Sequence, residues 1–379
     1  MPRDTPSFTT DAPSLVAETL GSAVAASASD VHLEPTEAGY ELRQRVDGLL
    51  STTRTLSGDA GRAMVTRLMV MAELLTYRLD VPQEGRATID GACRVTDKTG
   101  EAAWSGRNGA VECRVSVMPT IHGLRAVVRL PAASHAPHRL DELGLPAAVR
   151  EAFEGFARAE QGAAIVVGPA GAGKTTTVYA LLSHIVACNP GVSVVSLEDP
   201  VERAVPGITQ IEVRPFGELT YERALRSMLR QDPQVLAIGE VRDPATAGLA
   251  LQAALAGHRL VTTMHAASPG GAIARFLEMG VEPFRVTGAV SLIASQRLLR
   301  RRVADGGGYH GRVPVAEAAT LRGTARDAVL QKADAATIDR ALRADGAGGN
   351  IRQSARALIE AGVTDEAEAV RVLGPYVAG

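Results

Sequence analysis

The chain has 379 residues, 46% of them hydrophobic and 22% charged, with a formal net charge of −2. Such a composition belongs to a soluble globular protein with core enough for two or three domains. It excludes the global basic field that draws a protein onto nucleic acid, and it contains no run of about 18 apolar residues to cross a membrane.

Cys93, Cys113 and Cys188 are scattered, with no CxxC pair, and read as small buried residues of a reducing compartment. Nothing in the first dozen residues resembles a signal peptide, so a cytoplasmic protein is expected, touching a membrane only through partners.

In chain order, residues 1–12 read as a flexible arm, and 13–26 (PSLVAETLGSAVAA) as a short amphipathic helix opened at a Pro/Ser boundary. Short alternating segments at 31–33, 40–46 and 49–50, the last two separated by Asp47-Gly48, predict a hairpin. Residues 62–75 have helical period and a Met-rich apolar face, and 111–117 and 124–130 alternate as strands. Residues 13–131 are therefore expected to be a small α+β domain. Small residues and prolines make 132–145 a linker, with His135 and His138 as solvated linker side chains.

From Pro146 the rhythm changes. Helix 147–159, strand 163–167, helix 174–185, strands 192–197 and 208–213, helix 221–231, strand 235–238, helix 245–256 and strand 260–264 follow one another. That alternation predicts an α/β domain over 146–312, a largely parallel sheet between helices, with ligands at the carboxyl ends of the strands. From 313 to 379 a short strand leads into helical runs, a small helical C-terminal part.

The motifs fall at those strand ends. GPAGAGKT, residues 168–175, sits between an apolar strand and a helix, the context of a phosphate-binding loop. Gly168, Gly171 and Gly173 let the backbone turn so that the N–H groups of Pro169-Ala170-Gly171-Ala172-Gly173-Lys174-Thr175-Thr176 gather on phosphate, proline itself having none to offer. Lys174 is expected on the β- and γ-phosphates and the Thr175 hydroxyl on Mg²⁺. The chain uses Arg nearly everywhere and has only three lysines, Lys98, Lys174 and Lys332, which makes a chance match less credible.

Four further constellations follow. Glu198, Asp199 and Glu202 crowd one strand end, where a cation, a water or an arginine must separate them. The strand 235–238 ends in Gly239-Glu240, with Gly239 in the usual place of a Walker B Asp. Glu240 is then the candidate to polarise the attacking water, and Glu198 and Glu240 the carboxylates near the metal. His258 and His265 flank the strand 259–264, and His265, on the carboxyl end, is the stronger candidate for a γ-phosphate sensor. In the first domain Arg114 and Arg129 each lie on a short strand, of a type suited to phosphate.

With these motifs the sequence resembles the ATPases of type II secretion and type IV pilus assembly. The match includes SDVHLEP (29–35), RQRVDG (43–48), VPQEGR (81–86), RVSVMPTIHG (114–123), the phosphate loop, LEDPVE (197–202), LRSMLRQDP (225–233), IGEVRD (238–243), AALAGHRLVTTMH (253–265) and QRL (296–298). The resemblance implies an N-terminal PAS-like domain, a RecA-like ATPase domain and a homo-hexamer driven by ATP and Mg²⁺. It further implies a platform protein of the bacterial inner membrane as partner, and no nucleic acid. Glu240 then matches the catalytic glutamate, Glu198 and Glu202 the aspartate box, and His258 and His265 the histidine box. Arg114 and Arg129 match the arginines that the first domain presents to nucleotide.

Departures bear on the reading. The four-cysteine module after QRL is replaced by residues 302–309, so no zinc is expected. The extra N-terminal docking domain is absent from this sequence. The family's DPD reads Asp232-Pro233-Gln234, which is expected to remove an acid near the active site, and its Glu after PTxxG is Leu124. Two other outputs compete with assembly or secretion: pilus retraction, and a poorly hydrolysing nucleotide-binding regulator.

Overall fold

The computed structural model describes residues 11–89, 111–130, 137–213, 219–303, 308–346 and 349–375. The chain divides between Ala136 and Pro137 into two units.

The first unit runs α1 (Ala12–Ala25), β1 (Asp30–Thr36), β2 (Gly39–Val46), β3 (Leu49–Leu56), α2 (Gly58–Met71), β4 (Gln83–Ile89), β5 (Val111–Thr120) and β6 (Gly123–Arg129). Its strands form one antiparallel sheet in the order β3-β2-β1-β6-β5-β4. Alternation puts Val31, Leu33, Val115, Val117, Ala126 and Val128 into a single core with Leu15, Val16, Leu20, Met64, Val65, Leu68 and Met69 of the two helices. The Met-rich face is thus a core face. Helix α2 starts before the expected residue 62 because Ser57 caps it, its hydroxyl accepting from the Ala60 N–H at 3.3 Å. Cys113 lies in this core, and burial pushes its thiol up to about 11. Cys188, expected buried, is exposed on the last turn of a helix in the second unit; Cys93 falls outside the described residues.

The second unit comprises α3 (Ala147–Arg158), β7 (Gly162–Val167), α4 (Lys174–Cys188), β8 (Val194–Glu198), β9 (Thr209–Glu212), α5 (Tyr221–Met228), β10 (Val235–Ile238), α6 (Pro244–Leu255), β11 (Arg259–Met264), α7 (Pro269–Glu278), α8 (Pro283–Ala289), β12 (Val290–Arg302) and β13 (Tyr309–Ala319). Helices α9 (Gly323–Leu330), α10 (Ala335–Ala344), α11 (Ile351–Glu360) and α12 (Glu366–Leu373) close the chain. The sheet order is β13-β12-β7-β11-β10-β8-β9, parallel except for the β12–β13 pair. Strands β7 and β11 are buried on both faces, as continuous apolar runs demand. Helix α3 turns Val149, Phe153, Phe156 and Ala157 inward at spacings of four, three and one, burying two phenylalanines worth roughly 1.5–3 kcal/mol each.

Two stretches differ from expectation. Of the presumed linker, residues 137–145 pack on this unit: Leu140 is buried in a 3₁₀ turn, and Arg203 donates to the Pro137 carbonyl at 3.0 Å. His135 lies outside the described residues. The boundary expected at 313 falls inside β13, whose Val313, Val315, Ala316 and Ala318 are buried on both faces and hold it in the sheet. The helical C-terminal part follows this strand and is tied to it.

Candidate active site

Strand β7 delivers the chain to the carboxyl edge of the sheet, and residues 168–173 turn it back into α4. Gly171 and Gly173 have φ of +74° and +82°, left-handed values that glycine adopts freely. No side chain caps α4 and no acid lies in its first turn, so its N–H groups and dipole end face the loop, ready for an anion. Lys174 is buried and donates to the Gly168 and Pro169 carbonyls, both at 3.0 Å. Burial holds its ammonium below the usual lysine range, with Arg297 adding to that and Glu240 opposing it. Thr175 and Thr176 are half-buried second and third residues of α4.

The neighbouring strand ends bring the other groups to Lys174. His265 follows β11, with Nδ1 3.5 Å from the Lys174 ammonium and Nε2 3.4 Å from Glu240 Oε1. Glu240 follows β10 and accepts from Arg242 at 2.8 Å through Oε2. Backbone bonds continue the sheet through this segment, Gly239 N–H to the Leu197 carbonyl at 2.8 Å and Val241 N–H to the Thr263 carbonyl at 3.2 Å. Lys174, His265 and Glu240 thus come from three adjacent strand ends and form one line. A Cβ at Gly239 would touch the Leu197 carbonyl at 3.4 Å, and Glu198 Cα and the Tyr221 hydroxyl at 3.5 Å. The place of the usual Walker Asp is walled by β8 and α5.

Glu198 ends β8, buried, and accepts from the Tyr179 hydroxyl, from Ser196 and from Gln210 Nε2 at 3.0 Å. Both its oxygens are engaged, which fits it to orient neighbours better than to ligate a metal directly. The Tyr179 hydroxyl in turn accepts from the Glu202 N–H at 3.2 Å, so one α4 side chain ties the phosphate-loop helix to the acidic box. Burial, with Glu198 beside it, pushes the Tyr179 phenol far up.

His258 is not in this group. It precedes β11, at the opposite edge of the sheet, where its Nδ1 lies 3.0 Å from the Ala253 carbonyl. Gln234 likewise precedes β10: its Oε1 accepts from the Ser193 N–H at 2.6 Å and caps the start of β8. The acid replaced by Gln234 is therefore remote from the phosphate loop, contrary to the expectation from the DPD motif. Asp243 caps α6, accepting from the Thr246 N–H at 2.9 Å.

Arg114 and Arg129 lie directly opposite each other on β5 and β6 of the first unit. Arg86 faces Arg114, and Asp30 faces both Arg129 and Arg45. Cross-strand partners share a face, so four arginines form a row broken by one acid. Asp30 anchors Arg129 at 3.1 Å and Arg45 at 3.3 Å, while Arg86 pairs with Glu112 at 3.0 Å. Sequence reasoning missed Arg45 and Arg86 as members of the row, and Tyr179, Gln296 and Arg297 in the second unit. The signal was faint: three polar residues, Ser295, Gln296 and Arg297, in a run otherwise fit for a buried strand.

A parallel sheet with a lysine-bearing phosphate loop at its carboxyl edge and a glutamate on a neighbouring strand end defines a P-loop nucleotide-binding protein of RecA-like fold, preceded by a small PAS-like α+β unit. The family model described as "Type II/IV secretion system protein" matches residues 10–371. The chain belongs to that family. It is 37% identical over 287 residues to the putative type II secretion system protein E of Escherichia coli, covering 76% of this chain and 55% of that one. To the type IV pilus assembly ATPase PilB of Thermus thermophilus it is 37% identical over 276 residues, 72% of this chain and 29% of that one. It therefore spans little more than half of the first relative and less than a third of the second. The solved Legionella pneumophila ATPase DotB has a TM-score of 0.70 at 20% identity, covering 97% of this chain and 96% of that one, a likeness of fold.

Proposed function

We propose that this chain is a ring-forming ATPase, a homo-hexamer that hydrolyses ATP to power type IV pilus assembly or type II secretion. It would act on the cytoplasmic side of a bacterial inner membrane, through a platform protein and other assembly components. The observation that carries the reading is the line Lys174–His265–Glu240 at the carboxyl edge of the sheet. A lysine for the terminal phosphates and a glutamate for the attacking water are parts that phosphoryl transfer to water uses, and the histidine spans them. Membership of a family whose relatives carry secretion and pilus names supports the output.

The residues fit a magnesium nucleotide. The uncapped N-terminus of α4 and the left-handed Gly171 and Gly173 suit polyphosphate. Thr175, with Glu240 and the hydrogen-bonded Glu198 acting through water, suits the metal, which would neutralise phosphate charge when bound. Glu240 orients water and takes its proton. His265 senses the terminal phosphate from beside Lys174, and Arg114 and Arg129 supply positive charge from the first unit. His258, at the opposite edge of the sheet, is given no part in this chemistry.

Purified full-length protein tests this directly. Wild type is expected to release phosphate from MgATP. Glu240→Gln should lower turnover about 10²–10⁴-fold while retaining ATP binding, and Lys174→Ala should lose binding. Absent turnover, or turnover indifferent to Glu240→Gln, would sink the motor and leave the nucleotide-binding regulator. Direction is read in cells: deletion that abolishes surface pili or exported protein supports assembly or secretion, whereas excess pili without twitching supports retraction.

A further inference from the structure

Strand β12 runs beside β7 and overshoots it. The last pair between them is Ser295 with Val167, which brings Gln296 alongside the first residue of the phosphate loop. Gln296 is 2% exposed. Its amide nitrogen donates to the Ala172 carbonyl at 2.6 Å, and its amide oxygen accepts from the Thr177 hydroxyl at 2.9 Å. A Cβ at Gly168 would come 2.6 Å from the Gln296 carbonyl, and one at Gly173 would come 3.1 Å from the Gln296 amide nitrogen. Two of the loop's glycines are thus in close approach to one residue, and the loop is moulded on it.

The next residue reaches the other way. The Arg297 guanidinium donates to the Gln296 carbonyl and to the Ala267 carbonyl, each at 2.8 Å. Ala267 lies two residues beyond His265. In the sheet, β7 stands between β12 and β11, so the Arg297 side chain crosses the exit of β7 to hold the exit of β11. Lys174 and His265, 3.5 Å apart, leave the sheet on separate segments that this strand joins.

We propose that Gln296 and Arg297 are positioning residues of the hydrolytic site: Gln296 holds the phosphate loop, Arg297 holds the loop bearing His265, and their common strand sets the separation of the two. The proposal rests on the ATPase reading for its catalytic consequence, though not for its structural one. Since the two residues hold different segments, their loss should separate binding from chemistry.

The test uses the full chain, with fluorescent ATP for binding, phosphate release for turnover, and hydrogen exchange for the loops. Gln296→Met leaves two buried polar groups unpaired and is expected to weaken ATP binding roughly 10-fold. Arg297→Met should leave ATP binding within about 3-fold and lower kcat about 10–100-fold, the scale of a misplaced catalytic group. Arg297→Lys should restore little, because a single ammonium lacks the planar fork that spans two carbonyls. Exchange should quicken at 170–173 in the first variant and at 265–268 in the second, and stay near wild type elsewhere, with the melting temperature of Arg297→Met near wild type. Wild-type kcat in Arg297→Met, or equal proportional losses of binding and kcat accompanied by lower melting temperatures, would overturn the proposal. If wild type itself does not hydrolyse ATP, the functional reading fails separately, and unchanged exchange in both variants then overturns the clamp.

Discussion

At the scale of single residues, the phosphate-loop glycines have different reasons to be glycine. Gly168 is hemmed in: an added Cβ would stand 2.6 Å from the Gln296 carbonyl and 2.9 Å from Ala172 Cβ. Gly171 has open space and only its left-handed φ to satisfy. Gly168→Ala is therefore expected to displace the loop and weaken ATP binding at least 10-fold, whereas Gly171→Ala should cost about 1–2 kcal/mol of backbone strain; titration with fluorescent ATP and thermal melting distinguish them. Equal effects would mean that close packing is not what constrains Gly168. Tyr179 supplies a second residue-scale prediction. Tyr179→Phe removes the donor to Glu198 and the acceptor for the Glu202 N–H. It should cost about 1–3 kcal/mol of stability and lower kcat more than ATP affinity, as measured by denaturant unfolding and steady-state turnover. Lys174, Glu240 and His265 were legible in the sequence because each follows a strand whose apolar run announces it. Tyr179 was not, since a tyrosine inside a helix reads as core until the partner strand end is known.

At the scale of elements, the C-terminal helices are fastened to the sheet of the second unit by buried polar ties. Glu368 of α12 is fully buried and meets Arg300 of β12 at 2.7 Å and Arg371 at 2.6 Å. Burial pushes its carboxyl up, but the bonds from Arg371 and Arg300 outweigh that and hold it at about 2. A carboxyl held below its ordinary value of 4.5 stabilises the fold above that pH and loses its contribution as pH falls towards about 2. Glu368→Gln should therefore destabilise the protein at neutral pH by about 3–5 kcal/mol, as breaking a buried pair does, with the deficit shrinking on acidification through that window; urea unfolding at several pH values checks it. Asp339 of α10 similarly accepts from Ser268 and from the Gly270 N–H at 2.7 Å, capping α7 from outside. Gly270 leaves room for this, since its Cβ would come 2.4 Å from the Ala335 carbonyl. The helices themselves were readable from periodicity. Their attachment was not, because β12 fell where the sequence showed only the QRL motif, and β13 where it showed a short strand beginning at 313. Without β12 in place beside β7, neither Gln296 nor the tie to α12 can be inferred, and residues 137–145 look like linker although Leu140 belongs to the core.

At the scale of the whole molecule, the chemistry assigned to Lys174 and Glu240 lies in one unit, and the arginine row lies in the other. Arg129 is 74% exposed while the carboxylate that anchors it, Asp30, is 8% exposed. A guanidinium held at its base and open at its tip is fit to meet an anion brought to it. If nucleotide phosphate is that anion, its charge attracts the row and the free energy of binding is shared between the two units. ATP should then shift the distribution of distances between them. Spin labels on Ser51→Cys and Glu151→Cys, both exposed positions, report that distance in a background carrying Cys93→Ser and Cys188→Ser, with Cys113 buried. Glu240→Gln keeps ATP intact during the measurement. ATP is expected to move and narrow the distance distribution relative to ADP, and Arg114→Ala with Arg129→Ala is expected to abolish the change while leaving ATP binding by the second unit. The same double variant should lower kcat, by up to about 10³-fold if these arginines meet the charge of the transition state. An unchanged distribution, with wild-type turnover in the double variant, would confine the site to the second unit and leave the row as a surface feature. A change that survives loss of both arginines would assign the coupling to other contacts, with Arg45 and Arg86 as the next residues to remove.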